Sequence, residues 1–106
     1  MAIIASWNIN SVRIREELLK KFINKIKPDI LLLQEIKCIN EDFPNFFSEL
    51  NYSAVINGQK GKYGVAVLIN KNLSFEEIKI SSEILNLESR INFIFIRELN
   101  LKVLNV

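Results

Sequence analysis

Pro28-Asp29-Ile30-Leu31-Leu32-Leu33-Gln34-Glu35-Ile36-Lys37 is the stretch that decides the fold. Proline pushes its predecessor out of the helical region, so Pro28 closes any helix that reaches it. The unbroken run from Ile30 to Leu33 has the pattern of a strand buried on both faces, and it delivers Gln34, Glu35 and Lys37 to its carboxyl end. Upstream, Leu18, Leu19, Phe22, Ile23 and Ile26 recur at spacings of three and four, so a helix with one buried face is expected from Arg13 or Arg15 to Lys27. Before it, Ala2 to Trp7 is a short apolar run rich in β-formers, expected as a buried strand that empties into Asn8-Ile9-Asn10-Ser11. Strand, helix and strand in this compass form a βαβ unit with parallel strands, covered on both faces. Both strands end on the same edge, where open α/β sheets place their ligand crevice. Asn8 and Glu35 are the polar residues found there.

Downstream, Phe43, Phe46, Phe47 and Leu50 follow at helical spacing around Pro44, which predicts a short helix with the proline in its first turn. Tyr52 to Ile56 reads as a strand, Asn57 to Lys62 as a glycine-containing turn and Gly64 to Ile69 as the hairpin partner. Phe75 to Ile80, Ile91 to Ile96 and Leu101 to Val106 are expected as further strands, which makes the second half β-rich and antiparallel. Leu101, Val103, Leu104 and Val106 look like a strand still in progress. A fragment of a larger domain is one expectation from this; a terminal strand pairing at a sheet edge is the other.

The composition narrows the chemistry. With 106 residues, 49% of them hydrophobic and only three Gly and two Pro, the chain fits one folded unit at most and no disordered or fibrous class. Fourteen Lys and Arg against twelve Asp and Glu leave a formal charge of +2, so any basic surface is local. The absence of histidine excludes an imidazole base, a Ser-His-Asp triad and a His-bearing zinc site within these residues. A lone Cys38 rules out an internal disulfide and suits a reducing compartment, so the cytoplasm is the expected location. No apolar run approaches the ~20 residues of a membrane span, and the region after Met1 lacks the basic start of a signal peptide.

Glu35 follows the most apolar strand, where a carboxylate must be hydrated, paired or bound to a cation. A divalent ion such as Mg²⁺ takes one or two protein carboxylates and fills its shell with waters and phosphate oxygens; an ion pair with Lys37 or Lys60 is the plainer alternative. Asn8 and Asn10 flank a strand end, where Asn is also an ordinary loop residue. Arg13 near a helix start is unfavourable for the dipole unless an anion such as phosphate sits there, and a solvated arginine is the default. Gly58-Gln59-Lys60-Gly61-Lys62-Tyr63-Gly64 combines permissive backbone, two cations and an aromatic ring, the ingredients of a loop that meets a phosphate backbone. It has neither Walker nor GxGxxG spacing, and a hairpin turn with solvated lysines would look the same.

Taken together and in order, Trp7-Asn8-Ile9-Asn10-Ser11-Val12-Arg13, Pro28-Asp29-Ile30, Leu33-Gln34-Glu35-Ile36-Lys37-Cys38, Asp42-Phe43-Pro44, Asn57-Gly58-Gln59-Lys60-Gly61 and Tyr63-Gly64-Val65-Ala66 resemble the exodeoxyribonuclease III family of abasic-site endonucleases. The resemblance runs from Ile3 to the last residue. It implies the N-terminal part of a four-layer α/β/β/α sandwich, with residues 1–106 as a single incomplete domain. It implies a Mg²⁺-dependent phosphodiesterase, with Mn²⁺ as the alternative ion, acting on double-stranded DNA at abasic sites or 3′ ends. Carried over by position, Glu35 resembles the metal-ligand glutamate, Asn8 the active-site asparagine beside it and Lys37 the supporting lysine, so Asn8, Glu35 and Lys37 are the catalytic candidates and Glu35 and Asn8 the metal candidates. Asn10, Arg13, Gln59, Lys60, Gly61 and Tyr63 fall in the DNA-facing loops. The family's later motifs, an Asp and Asn pair and a closing Asp-His pair, have no counterpart in these residues. The chain alone is therefore expected to be inactive and prone to aggregate, the second sheet being expected from the missing half. A split enzyme completed by a separate chain, or a non-catalytic DNA-binding or interaction module, are the other readings.

Overall fold

The expected strand, helix and strand open the chain in the computed structural model, which describes residues 1–79 and 90–106. They are β1 (Ile4–Asn8), α1 (Glu16–Ile26) and β2 (Ile30–Gln34). A 3₁₀ turn (Asn40–Asp42), a short helix α2 (Phe46–Glu49) and the strands β3 (Tyr52–Asn57) and β4 (Val65–Asn70) complete the first half. β5 (Phe75–Glu77), β6 (Asn92–Ile96) and β7 (Leu101–Asn105) follow. Ile80, the last residue of the strand expected from Phe75, lies outside the described residues. Pro44 sits before Asn45, the residue that caps α2, and so outside the first turn in which it was expected.

The first sheet has the order β1-β2-β4-β3. β1 and β2 are parallel with Asn8 opposite Gln34, whereas β4 runs antiparallel to both β2 and β3. One face of this sheet carries α1, α2 and the loops after β1 and β2, packed through Leu19, Ile23, Leu31, Leu33, Ala66 and Leu68. Trp7 meets Phe22 edge-on with ring centroids 5.6 Å apart. The stripe on α1 is narrower than the periodicity predicts, because Leu18 stands at its flank and Ile26 falls in the last turn, and both are exposed. The first strand also departs from expectation: β1 is an edge strand rather than a buried one, with Ile4 47% exposed and Ser6 open to solvent. A strand is covered only where neighbours and layers reach it, and here β2 flanks β1 on one side.

The largest correction concerns the second sheet. It was expected from residues absent here, yet β5-β6-β7 build it within this chain, antiparallel throughout. Ile94, Ile96 and Val103 of that sheet interdigitate with Ile30, Val55, Val67 and Ile69 of the first. The inner face of the first sheet is therefore substantially covered by the chain's own residues, and three layers of the expected sandwich stand together: helices, first sheet, second sheet.

Tyr52 pins the start of β3 to the end of α1. Its ring is buried and its hydroxyl donates to the Pro28 carbonyl oxygen at 2.5 Å. Burial first, and then the nearby Asp29 carboxylate, push the phenol up from its ordinary value. Tyr52→Phe is expected to cost about 1 kcal/mol at neutral pH. Because the folded-state pKa is the higher one, this part of the stability is whole below the unfolded-state phenol value of about 10 and is lost as the pH rises through the folded value. Urea titrations of the two proteins should thus give curves that draw together in strong alkali.

Candidate active site

Parallel pairing of β1 and β2 places their carboxyl ends side by side, and the chain leaves both through irregular backbone. Three segments are laced together at this edge: Ser11 and Val12 donate main-chain N–H bonds to the carbonyls of Glu35 and Ile36, while Ile36 and Lys37 donate to those of Gly64 and Tyr63. Asn10, Ser11, Glu35, Lys37 and Tyr63 all take positive φ. Left-handed backbone costs a side-chain-bearing residue about 1 kcal/mol, so the lacing holds the segment in a shape it would not adopt alone. That shape turns Glu35 and Lys37 out of the strand toward the same edge.

The side chains form a continuous series. Asn8 Nδ2 donates to Glu35 Oε2 at 2.6 Å, Lys37 Nζ stands 3.9 Å from Glu35 Oε1, and the same ammonium donates to Asn10 Oδ1 at 2.5 Å. Glu35 and Lys37 remain accessible, their side chains 41% and 35% exposed. Of the two lysines that could pair with Glu35, Lys37 is the one that approaches it. Asn8 and Glu35 also line a cleft of about 590 Å³, together with Ser6, Gln34, Tyr63 and Arg90.

Tyr63 forms one wall of the cleft. The Arg90 guanidinium lies over its ring at 4.0 Å from the centroid, and Lys62 Nζ lies at 5.5 Å. Cations over an aromatic face are held by the ring quadrupole, and a guanidinium carries five N–H donors with which to meet an anion. Asn8, Glu35, Lys37, Asn10 and Tyr63 are thus brought to one place. Arg13 is not among the residues lining the cleft: it reaches Asp42 at 3.8 Å, both side chains about half exposed. Gln59, Lys60 and Gly61 stay on the β3–β4 loop outside the cleft wall, with Lys60 and Gly61 exposed.

The donor set suits a hard cation. Since Asn8 spends its amide N–H on Glu35, its carbonyl oxygen and the Glu35 carboxylate are the oxygens left to offer, the ligand type that Mg²⁺ and Mn²⁺ take. Among the described residues no group of three or more His, Cys, Asp or Glu gathers to hold a metal. One carboxylate with amide oxygen fits an ion that keeps most of its shell as water and substrate phosphate. Cys38 offers no alternative chemistry: it is buried, and burial pushes its thiol up, away from the thiolate that a nucleophile needs.

Sequence reading missed Ser6, Arg90, Asn92 and Asn105, and assigned Gln34 no role of its own. Asn92 and Asn105 did leave a signal, each being a polar residue in phase with inward-facing apolar ones, Ile94 and Ile96 for the first and Val103 for the second. Arg90 left none, because a lone arginine before a strand is ordinary.

Known proteins resemble the chain in family, sequence and fold. The profile of the Endonuclease/Exonuclease/phosphatase family matches residues 5–105. Exodeoxyribonuclease III of Haemophilus influenzae is 48% identical over 64 residues, which make up 59% of this chain and 24% of that enzyme. An AP endonuclease from Archaeoglobus fulgidus superposes with a TM-score of 0.76 at 31% identity, over 98% of this chain and 40% of its own. A 3′ phosphatase from Neisseria bound to product DNA hairpin gives 0.79 at 26% identity, over 97% and 40%. The human Nocturnin catalytic domain, at 0.56 and 20% identity, shares the fold. The chain spans less than half the length of these relatives.

Proposed function

The chain belongs to the endonuclease/exonuclease/phosphatase family, and from that premise we propose that it supplies the N-terminal half of a divalent-cation-dependent DNA phosphodiesterase that acts at abasic sites or 3′ ends. The observation that carries the reading is the linked series Asn8, Glu35, Lys37 and Asn10 at the mouth of a cleft walled by Tyr63 and Arg90. In it Glu35 and Asn8 hold the cation, preferably Mg²⁺, which when bound polarises the scissile phosphate and stabilises the leaving oxygen. Lys37 keeps the Glu35 carboxylate oriented and offers positive charge to a phosphate. Lys60, with Gln59, Gly61 and the stacked Tyr63 and Arg90, meets the DNA backbone, and Arg13 lies beyond the cleft as an outer contact. Of the relatives named above, the Haemophilus and Archaeoglobus proteins are nucleases by name and the Neisseria phosphatase is bound to product DNA, which supports the substrate class.

No histidine is present to pair with an aspartate, so the groups that activate water come from other residues, of the same polypeptide or of a partner chain in the reducing cytoplasm. The 106 residues are accordingly expected to bind duplex DNA without cutting it. Binding to a short duplex carrying an abasic analogue, followed over a range of salt, tests this. Lys60→Ala should weaken binding and reduce the slope of log K against log salt by about 1, whereas Glu35→Gln should leave binding in place. Failure of the wild-type chain to bind at low salt removes the DNA reading. Metal-dependent cleavage by these residues alone overturns the division of labour.

A further inference from the structure

A polar series of fixed direction runs beneath the cleft. Asn105, 1% exposed, directs its Nδ2 at the main-chain oxygens of Leu33 (3.0 Å) and Ala66 (3.1 Å) and at Asn92 Oδ1 (3.0 Å). Asn92 in turn directs its Nδ2 at the Val55 carbonyl oxygen, 3.4 Å away. Main-chain carbonyls only accept, so the end of Asn105 turned to Leu33 and Ala66 is its NH₂, and the end turned to Gln34 is its oxygen. Gln34 must therefore meet Asn105 nitrogen first, and Nε2 lies 2.8 Å from Asn105 Oδ1. The same nitrogen donates to Ser6 Oγ at 3.0 Å. Both N–H bonds of Gln34 are then used, and its carbonyl oxygen has no hydrogen-bond partner among the described residues. Gln34 lines the cleft with Asn8 and Glu35, so that oxygen is the polar atom it has left to present there.

We propose that Asn105 is a positioning residue which, through Gln34, turns a neutral oxygen acceptor into the cleft beside Glu35, where it takes a hydrogen bond from the water shell of a divalent cation. The inference rests on the reading of Glu35 as a cation-binding residue and adds to it. A hard cation that retains its waters needs acceptors for their protons as well as ligands for itself. The opposite rotamer of the Gln34 amide would set N–H groups against those protons and against the cation's charge. Two strand carbonyls of the first sheet forbid it, acting through one asparagine of the second.

Side-chain amide hydrogen exchange of the labelled 106-residue chain, read by NMR, together with calorimetric titration with Mn²⁺, tests the proposal. The Gln34 NH₂ should exchange at least tenfold more slowly than a free glutamine amide; exchange at the free rate overturns the positioning. Gln34→Leu should weaken Mn²⁺ binding roughly fivefold, about what one hydrogen bond supplies, while Gln34→Glu, which keeps an acceptor oxygen and loses both donors, should bind at least as tightly as wild type. Equal weakening by the two variants shows a merely structural glutamine, and an unchanged affinity in Gln34→Leu removes its part in binding; either result overturns the proposal. If Mn²⁺ does not bind the wild type, the cation role falls together with the reading beneath it, and the exchange rate still judges the positioning by itself. Undiminished binding by Glu35→Gln, with Gln34→Leu still weakened, overturns that reading and the placing of the cation beside Glu35.

Discussion

Gly58→Ala is expected to lower the unfolding free energy by about 3 kcal/mol, the loss showing as a lower urea midpoint. An added Cβ would stand 2.3 Å from the Cys38 carbonyl oxygen and 2.9 Å from the Asn40 main-chain nitrogen. Neither is the movable end of a side chain, so the β3–β4 loop has to lift. Lifting it breaks the 2.6 Å bond from the Gly58 N–H to Asn40 Oδ1, and with it the anchor that Asn40 makes on the Ile56 carbonyl. Gly61 in the same loop supplies the contrast. A Cβ there meets nothing within 4 Å, but its φ is +75°, so Gly61→Ala should cost only about 1 kcal/mol, through backbone conformation. Since that loop also carries Lys60 and Tyr63, Gly58→Ala should weaken DNA binding more than Gly61→Ala does. Equal midpoints for the two variants would contradict the steric account.

Asn105→Leu is expected to cost about 4 kcal/mol, more than any single truncation at the surface. The substitution strips the amide donor from two main-chain carbonyls and from Asn92, and removes the acceptor that holds Gln34. Leaving one buried polar group unpaired costs about 1–3 kcal/mol; here the Asn92 oxygen loses its donor, Gln34 loses an acceptor, and the two strand carbonyls, opposite each other in the β2–β4 ladder, lose a second donor. Leu104→Ala, one residue away on the exposed face of β7, should change the unfolding free energy by less than about 0.5 kcal/mol. A small effect of Asn105→Leu would mean that the two sheets are held by apolar packing alone. This is also why the role proposed for Asn105 is tested through Gln34.

What could be read without coordinates is what depends on local pattern. The apolar run Ile30 to Leu33, the period of Leu19, Phe22 and Ile23, and Pro28 between them settle a strand, a helix and their boundary, because burial and backbone sterics act within a few residues. Placing Asn8 and Glu35 on one edge follows from the parallel connection alone, and the ordered motifs were enough for the family. Only the tertiary structure decided that β1 is an edge strand, since exposure depends on which neighbours reach it. It alone showed that the second sheet is built from the chain's own β5, β6 and β7 and packs through Ile94, Ile96 and Val103. The same holds for Lys37 bridging Glu35 and Asn10 and for Arg13 turning to Asp42, since several partners were within reach in sequence. The orientation of Gln34 is the furthest from local pattern. It is set by Asn105, seventy-one residues away, whose own direction is imposed by two carbonyls of the opposite sheet, and a hydrogen bond's direction exists only once both partners are in place.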